Sequence, residues 1–168
     1  MITIDASGVA NAIQDLDVRK QWLRIKTQEL VQRLTDYGVE LASVAFEDAA
    51  YDGVNDVQVS FEESGELTRT IIAAGSAVLF IEFGAGVTYG FGHPEPQGYG
   101  PGTYPGKGNW VEPYWFYTGQ PGTAGGTLAY NRANTTITRG NPPSAAMYQA
   151  RKQMEEDVET IALEVFSH

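Results

Sequence analysis

The eight residues FIEFGAGV, at positions 80–87, combine an aromatic, apolar run with one carboxylate and two glycines. Aromatic and β-branched residues favour strands, and this run is apolar on both faces except at Glu82. We therefore predict a central strand that ends at Gly84 and is covered on one side by a helix. Glu82 is expected either near water at the sheet end, or buried and paired with an arginine.

Two further strands are predicted immediately before this one. DVQVSF, at residues 56–61, alternates Val57, Val59 and Phe61 with polar residues, and SGE at 64–66 is typical of a turn. The segments LTRTIIAAG, at 67–75, and SAVLFIEFG, at 76–84, complete the pattern. Residues 55–84 are thus predicted to form a three-stranded antiparallel meander.

Two segments have the apolar spacing of amphipathic helices, residues 17–46 and residues 142–167. In the first, apolar residues fall seven apart, Asp15 or Asp17 can cap the start, and a kink or break is expected at Gly38. The two helices are expected to pack on the sheet face that carries Val78 and Phe80. Their predicted seam consists of Leu30, Leu34, Leu41, Met154, Val158 and Ile161.

Residues 85–126 are predicted to form a long loop rich in glycine, proline and tyrosine. From Gly84 to Gly126 the chain has 13 of its 19 glycines, 6 of its 8 prolines and nine aromatic residues, with only three charged side chains. Inert linkers are poor in aromatic residues, so this loop is expected to bury itself against something. Residues 89–113 are expected to become ordered only in an assembly, and residues 127–139 can form a return strand.

These elements predict an α+β fold over a single domain, residues 1–168. An antiparallel β-sheet is packed by long N-terminal and C-terminal α-helices, and the long loop lies between the sheet and the second helix. With 168 residues and 42% hydrophobic residues, the chain can form one modest core. The sequence has no window that approaches the roughly 20 apolar residues a membrane span needs.

Composition and motifs argue against catalysis. The chain has no cysteine, and GPGTYPGKG at residues 100–108 lacks the first glycine and the final Ser or Thr of a P-loop. His93 and Glu95 supply fewer ligands than a zinc site requires, and no GxSxG elbow is present. We therefore predict no catalytic, metal or cofactor site, no enzymatic activity, and a structural role for Glu82.

Three motifs together resemble a known family: AVLFIEFGAGV at 77–87, YWFYTG at 114–119, and GNPPSAAMYQA at 140–150. Their order is similar to that in small morphogenesis proteins of tailed bacteriophages, known as tail-completion, neck or head–tail joining proteins. The resemblance implies a homo-oligomeric ring, commonly sixfold, at the head–tail junction of the virion, assembled in the host cytoplasm with other neck and tail proteins. The net charge of −10 suits a lumen through which DNA passes without specific binding.

Aromatic residues are enriched at subunit contacts, so the loop and its flanks are the predicted interface. The candidate subunit or partner contacts are Glu82, Phe83, Tyr89, Phe91, Tyr99, Tyr104, Trp110, Tyr114, Trp115 and Tyr117. The alternative is a carbohydrate- or ligand-binding module, in which Trp110, Tyr114, Trp115 and Tyr117 would stack on sugar rings. The sequence supports both functions, because aromatic residues in a polar loop would look the same in either.

Overall fold

The computed structural model describes residues 7–86, 92–100, 114–122, 127–128 and 134–167. Three helices are present in these residues: α1 at Ser7–Glu47, α2 at Val78–Phe83 and α3 at Ala146–Phe166. The strands are β1 (Gln58–Gly65), β2 (Thr68–Ala74), β3 (Ala85–Gly86), β4 (Trp115–Thr118), β5 (Thr127–Leu128), β6 (Thr135–Thr138) and β7 (Gly140–Asn141). Long N-terminal and C-terminal helices pack against small antiparallel sheets, which confirms the α+β class.

The two long helices pack antiparallel. In the C-terminal part of α1, the Tyr37 hydroxyl donates a 2.6 Å hydrogen bond to Asp157 of α3, and nearer the middle of α1 Trp22 meets Phe166 edge to face, with ring centres 5.8 Å apart. The helix runs through Gly38 without the expected break. A Cβ there would collide with the Met154 side chain, so the glycine lets the helices approach closely.

The two helices make the predicted contact with each other. Five of the residues assigned to their seam, Leu30, Leu34, Leu41, Met154 and Ile161, are half-buried. Val158, in contrast, leaves 38% of its surface exposed. The first helix also begins ten residues earlier than predicted, at Ser7. The predicted sheet face was wrong, because the residues assigned to it lie on a helix.

The hairpin of β1 and β2 agrees with the first two strands of the predicted meander. Its register pairs Gln58 with Ala74 and Phe61 with Ile71, and it shifts between Glu63 and Gly65 near the turn. At the tip, the Glu66 carboxylate accepts hydrogen bonds from Arg24 and Gln28 of α1. These contacts hold the hairpin along the outer surface of the helix.

The predicted third strand is wrong, because Val78–Phe83 forms helix α2. The Asp56 carboxylate accepts hydrogen bonds from the N–H groups of Ser76 (2.8 Å) and Ala77 (2.9 Å), where the chain enters this helix. These bonds hold the pKa of Asp56 below its ordinary value. Ile81 is fully buried beside Phe46 of α1, so the apolar run enters the core as a short helix rather than as a strand.

The second half of the chain forms two further small sheets. β3 pairs antiparallel with β7, while β6 lies between β4 and β5. The predicted loop over residues 85–126 therefore contains strands β3 and β4, and the predicted strand over 127–139 corresponds to β5 and β6. The helix predicted over residues 142–167 is α3, which begins at Ala146 rather than at residue 142. It follows Ala145, which has a left-handed backbone conformation. No helix in the described part of the chain is long and apolar enough to cross a bilayer.

Candidate functional site

Glu82 lies at the centre of a buried polar junction and is only 5% exposed. It is carried by α2, whose apolar residues bring that helix against the N-terminus of α3. Its carboxylate accepts a 2.9 Å hydrogen bond from the N–H of Met147 and a 3.2 Å bond from that of Tyr148. These N–H groups belong to the first turn of α3 and have no partner within the helix. Glu82 thus caps α3 from a distant part of the sequence, and the helix dipole favours its negative charge.

His93 completes the junction. Its Nε2 lies 3.0 Å from Oε1 of Glu82, and its Nδ1 accepts a 2.9 Å hydrogen bond from the N–H of Glu95. A ring that accepts at Nδ1 carries its hydrogen on Nε2, which donates to the carboxylate. The His93 side chain is 4% exposed and the Glu82 side chain 7%, so both partners of this bond lie inside the subunit.

Aromatic packing attaches the segment 92–100 to the two helices. The Phe83 ring lies 4.6 Å from the His93 ring and 5.3 Å from the Tyr99 ring, measured between centres. On the other side of the histidine, the Tyr148 ring lies 5.6 Å away. At the surface, Glu95 accepts a 2.7 Å bond from Arg151. The start of the predicted loop is therefore bound to α2 and α3.

The first and last of the three sequence motifs meet at this junction. The N–H of Ser144 donates to the carbonyl of Ile81 (2.9 Å), and the N–H of Ala145 donates to that of Glu82 (3.0 Å). Gly84 has a φ of 77°, and a Cβ on it would lie 2.6 Å from the backbone nitrogen of Pro143. A side chain at Gly84 would therefore separate the two segments.

The hydrogen bonds of His93 limit the chemistry that this junction can perform. Both ring nitrogens of His93 are engaged, one by Glu82 and one by a backbone N–H, so the ring has no nitrogen left to accept a proton from a nucleophile. Among the described residues, no group of three or more His, Cys, Asp or Glu could hold a metal ion. The structure brings His93 against Glu82, although the two residues are 11 positions apart in the sequence. Glu82 is buried as one alternative predicted, although its partner is a histidine rather than an arginine.

The candidate interface residues lie in several places. Glu82 and Phe83 belong to the buried junction, while Tyr99 is exposed beside it. Tyr114 accepts a 2.8 Å bond from Arg139, whose guanidinium carbon lies 5.0 Å from the tyrosine ring centre. Trp115 and Tyr117 are in β4, opposite Thr138 and Thr136, but their side chains lie outside the described part. Four further candidates lie outside the described residues altogether: Tyr89, Phe91, Tyr104 and Trp110.

A second candidate site, not predicted as a contact surface from the sequence, is the N-terminal half of α1. Seven of the large hydrophobic residues exposed on the subunit lie between positions 9 and 25. Four of them, Val9, Ile13, Leu16 and Leu23, form a line on one side of the helix, which we call the α1 stripe. Its signal was present in the sequence, because the apolar spacing of three and four residues continues on the N-terminal side of Leu16.

Comparisons of the chain with models of protein families, with curated proteins and with solved structures gave no match in any of the three.

Proposed function

We propose that this chain is a structural subunit of a tailed-phage virion, a tail-completion or head–tail connector (neck) protein. In this function, copies of the chain assemble into a ring at the junction of portal and tail, alongside other neck and tail proteins. The observation that carries the proposal is the apolar surface that α1 leaves exposed.

The described part of the subunit buries few large apolar side chains of its own. Nine hydrophobic residues are buried there, and six of them are alanines; the other three are Phe46, Ile81 and Val165. In contrast, Leu16, Val18 and Ile25 of α1 each leave more than half of their surface exposed. Exposed apolar surface on this scale is typical of a protein–protein contact and supports a subunit built for assembly.

The junction at Glu82 fits the same function. The side chains of Glu82 and His93 both have hydrogen-bond partners inside the subunit. They attach residues 92–100 of the aromatic loop to α2 and α3. A rigid attachment lets a loop present its aromatic residues in a fixed direction. The net charge of −10 also suits a conduit for DNA, because a negative lumen repels phosphates.

The oligomeric state of the purified protein tests the assembly. Native mass spectrometry should give the mass of an oligomer of several 18.3 kDa chains rather than that of one chain. Negative-stain electron microscopy should show closed rings. A monomer that persists as the concentration is raised, and that binds an oligosaccharide on a glycan array, would instead support a carbohydrate-binding module.

The place in the virion is tested by deleting the gene from the phage or prophage that carries it. Electron micrographs of the lysate should then show filled heads without tails, and supplying the wild-type chain from a plasmid should restore infectious particles. Normal particles in the deletion strain would refute the neck function, whatever the oligomeric state of the protein.

A further inference from the structure

We propose that the α1 stripe of one copy of this chain docks antiparallel on the outer face of α3 of a second copy. This outer face is defined by Glu156, Glu159 and Leu163, which follow one another at spacings of three and four residues. The inference rests on the proposed ring and specifies the contact that builds it.

The first argument is that the stripe continues an interface that already exists inside the subunit. Leu30 and Tyr37 continue the seven-residue spacing of Leu16 and Leu23, and Tyr37 bonds to Asp157 of α3. Helix α3 ends at Phe166, beside Trp22, so α1 extends past it by about 15 residues, or roughly 22 Å. The uncovered half has the same spacing as the covered half, so a helix is the partner that fits it.

The second argument comes from charge. Five of the 11 Lys and Arg residues lie between positions 19 and 33 on α1, whereas α3 has five carboxylates between positions 155 and 164. Lys20 lies within the stripe, between Leu16 and Leu23. Neither Lys20 nor Glu159 has an ion-pair partner among the described residues. Arg24, Lys26 and Arg33 already form ion pairs inside the subunit. The charge complementarity between two copies therefore rests on Lys20 and Glu159.

The third argument is the spacing, which selects the direction and the register. Leu163 is 66% exposed and lines an open groove with Glu159 and Phe166. When the helices run antiparallel with Leu16 on Leu163, Lys20 falls opposite Glu159, because Lys20 follows Leu16 by four residues and Glu159 precedes Leu163 by four. A parallel arrangement with the same leucine contact would place Lys20 beyond the last turn of α3.

The docking joins two different surfaces, so each copy offers one stripe and one outer face. Contacts of this head-to-tail kind produce a closed ring when the rotation between copies closes, and a filament when it does not. Side-by-side pairing of two stripes would instead stop at a dimer. The proposed contact is thus of the type that a ring requires.

A pair of matched serine substitutions tests the stripe. Leu16 is 65% exposed and Val18 is 61% exposed, but two residues turn a helix by about 200°, so Val18 points away from the stripe. Leu16→Ser should weaken self-association at least tenfold in sedimentation equilibrium, and Val18→Ser should leave it unchanged. Both variants should keep the wild-type unfolding midpoint. Equal association of the two variants would overturn the proposal.

A charge exchange tests the partner face. Lys20→Glu and Glu159→Lys should each weaken self-association, because each variant alone places like charges together. Mixing the two variants in equal amounts should restore assembly, with the copies alternating. The control, Glu62→Lys on the exposed hairpin, makes the same charge change and should leave assembly intact. A mixture that stays dissociated would overturn the docking on α3.

The outcomes also separate this inference from the proposed function. If the wild-type chain forms rings that Leu16→Ser and Lys20→Glu leave intact, the ring stands and the helix contact is wrong. If the wild-type chain remains monomeric at all concentrations, both the ring and the contact are wrong.

Discussion

Replacing Glu82 by alanine should destabilise the subunit more than removing any exposed carboxylate. The substitution takes away the acceptor for three donors at once: Nε2–H of His93 and the N–H groups of Met147 and Tyr148. The histidine donor is buried and would be left without a partner, whereas the bonds from the two N–H groups at the start of α3 are part-buried.

The size of the effect follows from these three bonds. A hydrogen bond to a charged group contributes about 1.5–3 kcal/mol, and a buried donor without a partner costs about 1–3 kcal/mol. Since two of the three bonds are only part-buried, we expect Glu82→Ala to lower the free energy of unfolding by about 3–5 kcal/mol. Glu82→Gln keeps one acceptor oxygen but turns an amide N–H₂ towards a donor, so its loss should be about half as large.

Urea denaturation followed by circular dichroism at neutral pH measures these changes. Glu95→Ala is the matched control, because it removes an exposed carboxylate from an ion pair with Arg151, and such pairs contribute about 0–1 kcal/mol. Glu82→Gln provides the comparison if the alanine variant does not fold. The capping role of Glu82 would be refuted if the Glu82 and Glu95 variants unfolded at the same urea concentration.

Three further predictions concern stability. Phe46→Ala should cost about 3–5 kcal/mol, whereas Val44→Ala, on the exposed side of α1, should stay within about 0.5 kcal/mol; equal thermal midpoints would contradict the assigned core. Gly38→Leu should lower the melting temperature by forcing α1 away from α3, and Gly8→Leu, with open space around it, should not. The pKa of Asp56 is lowered from its ordinary value of 3.8, so its contribution is present above that pH and lost as pH falls through the lowered pKa. Asp56→Asn should therefore destabilise the protein at pH 7 and flatten its acid unfolding curve, and an unchanged curve would count against the bonds at the start of α2.

The sequence alone predicted the two long helices and the hairpin. Apolar residues at spacings of three, four and seven indicate helices, and the alternation in residues 56–61 before the turn at 64–66 indicates paired strands. These patterns report local structure, because each extends over several turns of helix or several residues of strand. The charge balance and the absence of cysteine were also decided by the sequence.

The contacts at Glu82 could not be predicted in the same way. The run Val78–Phe83 contains six residues, of which five are apolar, and so short a run has no period that separates a buried strand from a buried helix. Its helical form is stabilised by Asp56, about 20 residues earlier in the chain, through N–H groups at the helix start. Neither the spacing nor the composition of the run contains that information.

The sequence by itself thus determined the α+β class, the two amphipathic helices and an aromatic segment between them. Only the tertiary structure decided that Glu82 pairs with His93 and caps α3, and that the N-terminal half of α1 extends beyond its partner helix. The physical reason is how far apart in the sequence the residues that produce each feature lie. Periodicity is a property of neighbouring residues, whereas burial, capping and the end of a helix contact depend on residues that meet only after folding.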